Sequence, residues 1–87
     1  MNQKVKDMVL FSLSYVKNNM GEQSQNVQCR NWIRTAKDSI EKSGLSSSNF
    51  ILSILDEIDG YFSGSDTKLT SNDVLGKIDM IESLLES

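Results

Sequence analysis

Between residues 46 and 62 the chain carries its densest run of apolar side chains, and their spacing restricts the fold more than any other feature. Phe50, Ile51, Ile54, Leu55, Ile58, Tyr61 and Phe62 recur at intervals of three and four residues. Wound at about 100° per residue, they share one arc of roughly 140° on an α-helix, and the alternation that a half-buried strand requires is missing. An arc that wide can touch two neighbours. The segment therefore reads as the central helix of a small bundle.

The rest of the chain supplies three more helices. The first is expected at about 3–20, with Asn2 as its N-cap and Gly21 just past its end. Val5, Val9, Leu13, Val16 and Met20 fall on its inner face, and Met8, Phe11 and Tyr15 form a second stripe at the edge. That stripe is expected to pack on another helix, with an exposed binding ridge as the alternative. The second helix, about 25–43, has Ser24 or Asn26 to cap it, Lys42 in its last turn and Gly44 to stop it. Its inner stripe is Cys29, Trp32, Ile33, Ala36 and Ile40, with Trp32 expected to be largely buried against the third helix. Arg30, Arg34 and Lys37 lie outward, and Asp38 and Glu41 stand four residues after Arg34 and Lys37.

The third helix is expected at about 47–63, with Leu45 stapled onto Phe50 at its start. A polar loop over 63–68 is the longest connection and the expected mobile segment. The fourth helix, about 71–86, opens on Thr70, Ser71, Asn72 and Asp73, a capping-box pattern, with Leu69 able to staple onto Val74. Val74, Ile78, Ile81 and Leu85 make its inner face. With no proline to break a helix and short connections between them, the elements predict an all-α protein, a small antiparallel four-helix bundle in one domain over 1–87.

Composition then limits function. No histidine is present, which removes Ser-His and Cys-His catalysis and His-containing zinc sites. Cys29 is the sole cysteine; it forms no internal disulfide, fits a reducing compartment, and its apolar stripe predicts a buried, inert thiol. Residues 56–60 superficially resemble a calcium loop but lack the alternating oxygen ligands and closing glutamate. No glycine-rich phosphate loop occurs. The expectation is a non-enzymatic protein with no cofactor and no metal. Met8 to Val16 is the one run resembling a signal peptide's apolar region; serines interrupt it, no small-residue cleavage site follows, and no stretch is long enough to span a bilayer. A cytoplasmic protein with no membrane contact is expected.

Charge carries the remaining information. Residues 1–44 hold seven Lys/Arg and four Asp/Glu, while residues 45–87 hold two and eight. A net charge of −3 argues against nucleic acid as partner, since phosphate contacts need a cationic surface. Asp56 and Asp59 with Leu52, and Asp79 and Glu82 with Leu75, project as outward stripes on the third and fourth helices. Carboxylates that steer and leucines that anchor suit a basic protein partner; the plainer alternative is an intramolecular match of basic helices against acidic ones. The reading by elimination is a protein-binding module, in concrete form an acidic immunity or antitoxin protein that neutralises a basic, nuclease-type toxin, as a monomer or weak homodimer. The alternative is a helical adaptor or secretion chaperone acting as a dimer.

Overall fold

The computed structural model describes residues 2–86. Four α-helices follow in order, α1 (Gln3–Asn19), α2 (Asn26–Glu41), α3 (Ser48–Ser63) and α4 (Ser71–Glu86), with a 3-10 turn over Gln23–Gln25 leading into α2. No strand occurs among the described residues. Paired positions show the chain reversing: Phe11 meets Trp32 while Tyr15, nearer the end of α1, meets Gln25 at the start of α2. Arg30 and Lys37 of α2 meet Asp59 and Asp56 of α3 in the same inverted order. The result is an antiparallel four-helix bundle.

Local chemistry accounts for the boundaries. The Asn2 side chain accepts from the Lys4 backbone N–H at 2.8 Å, satisfying one of the donors a helix start leaves open. At α4 the bonds are reciprocal: Asp73 N–H donates to Thr70 Oγ1 at 3.2 Å, and Thr70 N–H donates to Asp73 Oδ2 at 3.0 Å. The start of α2 departs from expectation. Neither Ser24 nor Asn26 caps it; Gln25 holds the cap position without a side-chain bond, and the 3-10 turn feeds the helix through Gln25 N–H to Glu22 O at 2.9 Å. Lys42 closes α2 in right-handed geometry and Gly44 turns the chain just beyond it at φ +69°, whereas Gly64 itself caps α3 at φ +81°, a left-handed conformation that only glycine adopts cheaply.

The core takes four rows, one from each helix: Val9, Leu13, Val16 and Met20; Cys29, Ile33, Ala36 and Ile40; Ile51, Ile54, Leu55, Ile58 and Phe62; Val74, Ile78, Ile81 and Leu85. Packing corrects the expectation that α3 is the hub. The closest helix approaches are α1 to α2 and α2 to α3, while α4 stands off from both its neighbours. The reason is side-chain size. Small Cys29 and Ala36 let backbones come near α2, whereas α3 and α4 meet through bulky Ile, Leu and Phe.

Two further expectations are revised. Phe50 lies at the flank of the α3 arc and is exposed, so Leu45 packs on the core without it. Trp32, expected largely buried against α3, is half-buried and meets Phe11 and Tyr15 of α1, because it sits at the α1-facing margin of its stripe. The connection after α3 is folded back on its helix: Asp66 N–H donates to Gly60 O at 3.1 Å, and Lys68 N–H to Asp66 Oδ1 at 3.0 Å. A side chain at Gly60 would crowd Ser65 Oγ, 3.3 Å from where its Cβ would stand, so the loop uses the bare backbone there.

Thr70→Ala is expected to cost about 1 kcal/mol through loss of the cap, read as a lowered midpoint in urea unfolding. The backbone and hydroxyl bonds from Thr70 hold the Asp73 carboxyl below its ordinary value. A carboxylate depressed in the fold stabilises above its unfolded pKa and loses that contribution as pH falls through the folded one. Acid should therefore erase the difference between wild type and Asp73→Asn only below the usual carboxylate range; a difference that vanishes near neutral pH contradicts the cap.

Candidate protein-binding surface

The bundle has four seams, and their chemistry differs. Between α2 and α3, Arg30 Nε meets Asp59 Oδ1 at 3.2 Å and Lys37 pairs with Asp56. Between α1 and α4, Lys17 Nζ bridges Glu82 Oε1 at 3.1 Å and Asp79 Oδ1 at 3.5 Å. Between α3 and α4, Lys77 pairs with Glu57. The fourth seam, α1 to α2, is aromatic. Phe11 and Trp32 meet edge-on with centroids 5.2 Å apart, Tyr15 lies 5.7 Å from Trp32, and Tyr15 Oη donates to Gln25 Oε1 at 2.8 Å.

This places the residues singled out from sequence. Leu52, Asp56 and Asp59 line the α2–α3 seam; Leu75, Asp79 and Glu82 share the α4 face that bears the Lys17 bridges to α1. Those two seams lie on opposite sides of the bundle, so the six residues form two surfaces and not one. Leu52 and Leu75 are half-buried against the core. The four carboxylates are held by cations of the basic half, so part of the charge asymmetry is met inside the molecule. Helical i+4 pairing, expected for Arg34 with Asp38 and Lys37 with Glu41, gives way: Lys37 reaches across to α3, and Asp38 takes Lys42 at 3.0 Å.

Lys17 shows the electrostatics of such a seam. The hydrogen bond it donates to Glu82 raises its pKa above the ordinary lysine value against an opposing desolvation, with the charges of Glu82 and Asp79 adding to the rise. A cation raised in the fold stabilises below its unfolded pKa and loses this as pH climbs through the folded one. Since both partners are partly exposed, the contribution is small. Cys29 is fully buried, and desolvation pushes its thiol up, away from nucleophilic use.

The aromatic seam combines the Met8, Phe11 and Tyr15 stripe of α1 with Trp32 of α2. Its stripe packs on another helix only through Tyr15 and one edge of Phe11; Phe11 stays 58% exposed and Met8 44%. Together with Lys4, Asp7 and Trp32 they line an open apolar groove of about 430 Å³. The signal was present in the i, i+3, i+7 spacing, but only the position of Trp32 fixes how far the stripe is covered.

Among the described residues no three metal-ligating side chains converge, every buried side-chain polar atom has a partner, and no helix is long and apolar enough to cross a membrane. Comparison of the chain with protein-family models, curated proteins and solved structures finds no match.

Two measurements check this arrangement. The Cys29 thiol should react with a disulfide reagent only at the rate of global unfolding in the native protein, and at once in denaturant. Trp32 emission should lie between buried and free indole and respond to acrylamide; a fully shielded spectrum contradicts the half-open seam.

Proposed function

We propose that this chain is a non-catalytic protein-binding module, in concrete form a small acidic immunity or antitoxin protein that binds and neutralises a basic, nuclease-type toxin. The observation that carries the reading is the condition of its carboxylates. Asp56 and Asp79 remain 63% and 69% exposed at the side chain while paired with Lys37 and Lys17. Exposed pairs of this kind are worth about 0–1 kcal/mol, so an arginine of a partner can replace the intrachain lysine at little cost. A nuclease cleft holds the cations that neutralise phosphates, and a row of carboxylates beside a leucine complements it in charge and shape.

Because the acidic rows occupy opposite seams, one partner covers one row. It is either Leu52, Asp56 and Asp59, with α2 beside them, or Leu75, Asp79 and Glu82, with α1 beside them. A second reading, a helical adaptor or secretion chaperone acting as a dimer, is favoured by a separate observation: the uncovered groove at Met8, Phe11 and Trp32.

Co-expression with the product of the neighbouring gene tests the neutraliser: growth should be rescued from its toxicity. With the purified pair, either Asp56→Lys or Asp79→Lys should slow association about tenfold or more at low salt, and the other should not. The effect should shrink near 0.15 M salt, where screening cuts the reach of steering to about 8 Å. Absent rescue, or association indifferent to both reversals, rejects the reading.

A further inference from the structure

Three helices of this bundle close on one another, and the fourth is added to them. α2 approaches both α1 and α3 closely, whereas α4 stands off from α1 and α3 alike. Its row of Val74, Ile78, Ile81 and Leu85 is buried, so the contact runs through the ends of bulky side chains. At its rims α4 is tied by ion pairs, Lys17 to Glu82 and Asp79 and Lys77 to Glu57, whose members are partly exposed and individually weak. α4 also follows the other three in the chain, so its release leaves every connection among α1, α2 and α3 in place.

Gly76 adds a weakness inside the helix itself. It lies in the middle of α4, exposed, and nothing stands within 4 Å of the place a Cβ would take. Gly60 of α3 differs, since Ser65 crowds its site at 3.3 Å. No neighbour thus requires the missing side chain at position 76, and a glycine in a helix interior lowers helix stability against alanine.

We infer that α4 is a detachable lid, one cooperative unit that leaves the bundle while α1, α2 and α3 stay folded. Native proteins open in such units, and the first to go are those with few close contacts and weak local structure. The remainder, residues 2–63, is of a size that folds alone. It keeps the close α1–α2 and α2–α3 packing, the rings of Phe11, Tyr15 and Trp32, and the Arg30 and Lys37 pairs. What opens is the apolar wall that α1 and α3 turn toward α4. The opening is a property of the free chain and stands apart from the toxin-binding reading. A partner seated on Leu75, Asp79 and Glu82 would bind the closed lid and hold it shut by mass action.

Hydrogen exchange of the whole native chain, followed residue by residue in rising sub-denaturing urea, tests the inference. Corrected for intrinsic rates, the central amides of α4, Lys77 to Ile81, should share one opening and exchange at least about tenfold faster than the slowest amides of α2. Their urea dependence should be weaker, because a partial opening exposes less surface. Two surface variants separate the lid from the whole. Gly76→Ala should slow exchange about two- to fivefold in α4 and in α2 alike, since both openings release α4. Arg34→Gly, at an exposed position of α2, should speed the α2 amides about three- to fivefold and leave those of α4 unchanged. One rate and one urea dependence common to α2 and α4 overturn the inference, as does acceleration of both helices together by Arg34→Gly. Amides of α4 that exchange singly, each without urea dependence, overturn it too, since that is fraying and not a unit.

Discussion

Everything in this bundle depends on how near α1 and α3 come to α2. Small Cys29 and Ala36 alternate with larger residues along the α2 row, and both are fully buried. A short side chain at the crossing brings helix axes toward the near end of their usual 8–10 Å separation, and close backbones multiply dispersion contacts. Ile33 stands between them on the same row, and Ile40 follows one turn after Ala36. The opposite wall is built differently. Ile78, Ile81 and Leu85 of α4 meet the large residues of α3, so α4 is held at greater distance. The asymmetry makes α1, α2 and α3 the tight part of the fold and α4 its lid.

The ion pairs follow from that layout. Each helix–helix seam needs side chains at its rim that tolerate both core and water, and long amphipathic Lys and Arg do so by laying their stems along apolar neighbours. Lys17, Arg30, Lys37 and Lys77 fill this role, and a carboxylate on the adjoining helix meets each. Exposed pairs contribute little energy apiece. Their effect is on register: sliding α2 one turn along α3 would part Arg30 from Asp59 and Lys37 from Asp56 together. The basic first half and acidic second half are therefore partly two sides of the same contacts.

The helices and the core were legible because their signals are local or periodic. Asn2, the Thr70/Asp73 pair and the glycine at 44 act within a few residues, and the rows on α1, α2 and α4 repeat at helical spacing. What escaped was anything decided between helices. Phe50 and Trp32 sit at the margins of their arcs, and a margin is inside or outside according to which neighbour lies beside it. The stripes at Asp56 and Asp79 looked alike in projection; only the cyclic order of helices sends one toward α2 and the other toward α1. Likewise, Lys37 has Glu41 four residues on and Asp56 across the seam, and helix periodicity sees the first alone.

The α1–α2 seam completes the comparison. Three seams are closed by charge at their rims, and this one by rings. Yet its closure is partial: Tyr15 is tied down through Gln25, whereas Phe11 touches Trp32 by an edge and faces outward. Full burial of a phenylalanine is worth about 1.5–3 kcal/mol, a large share of what so small a domain holds in reserve. The geometry for burial is at hand, since a one-position shift of the stripe toward Leu13 would carry the ring inside. The chain instead leaves Phe11 and Met8 exposed where the seam lacks charged pairs across it. Apolar surface left beside a rigid indole, on the best-packed pair of helices, is preorganised for docking and costs little conformational entropy when covered.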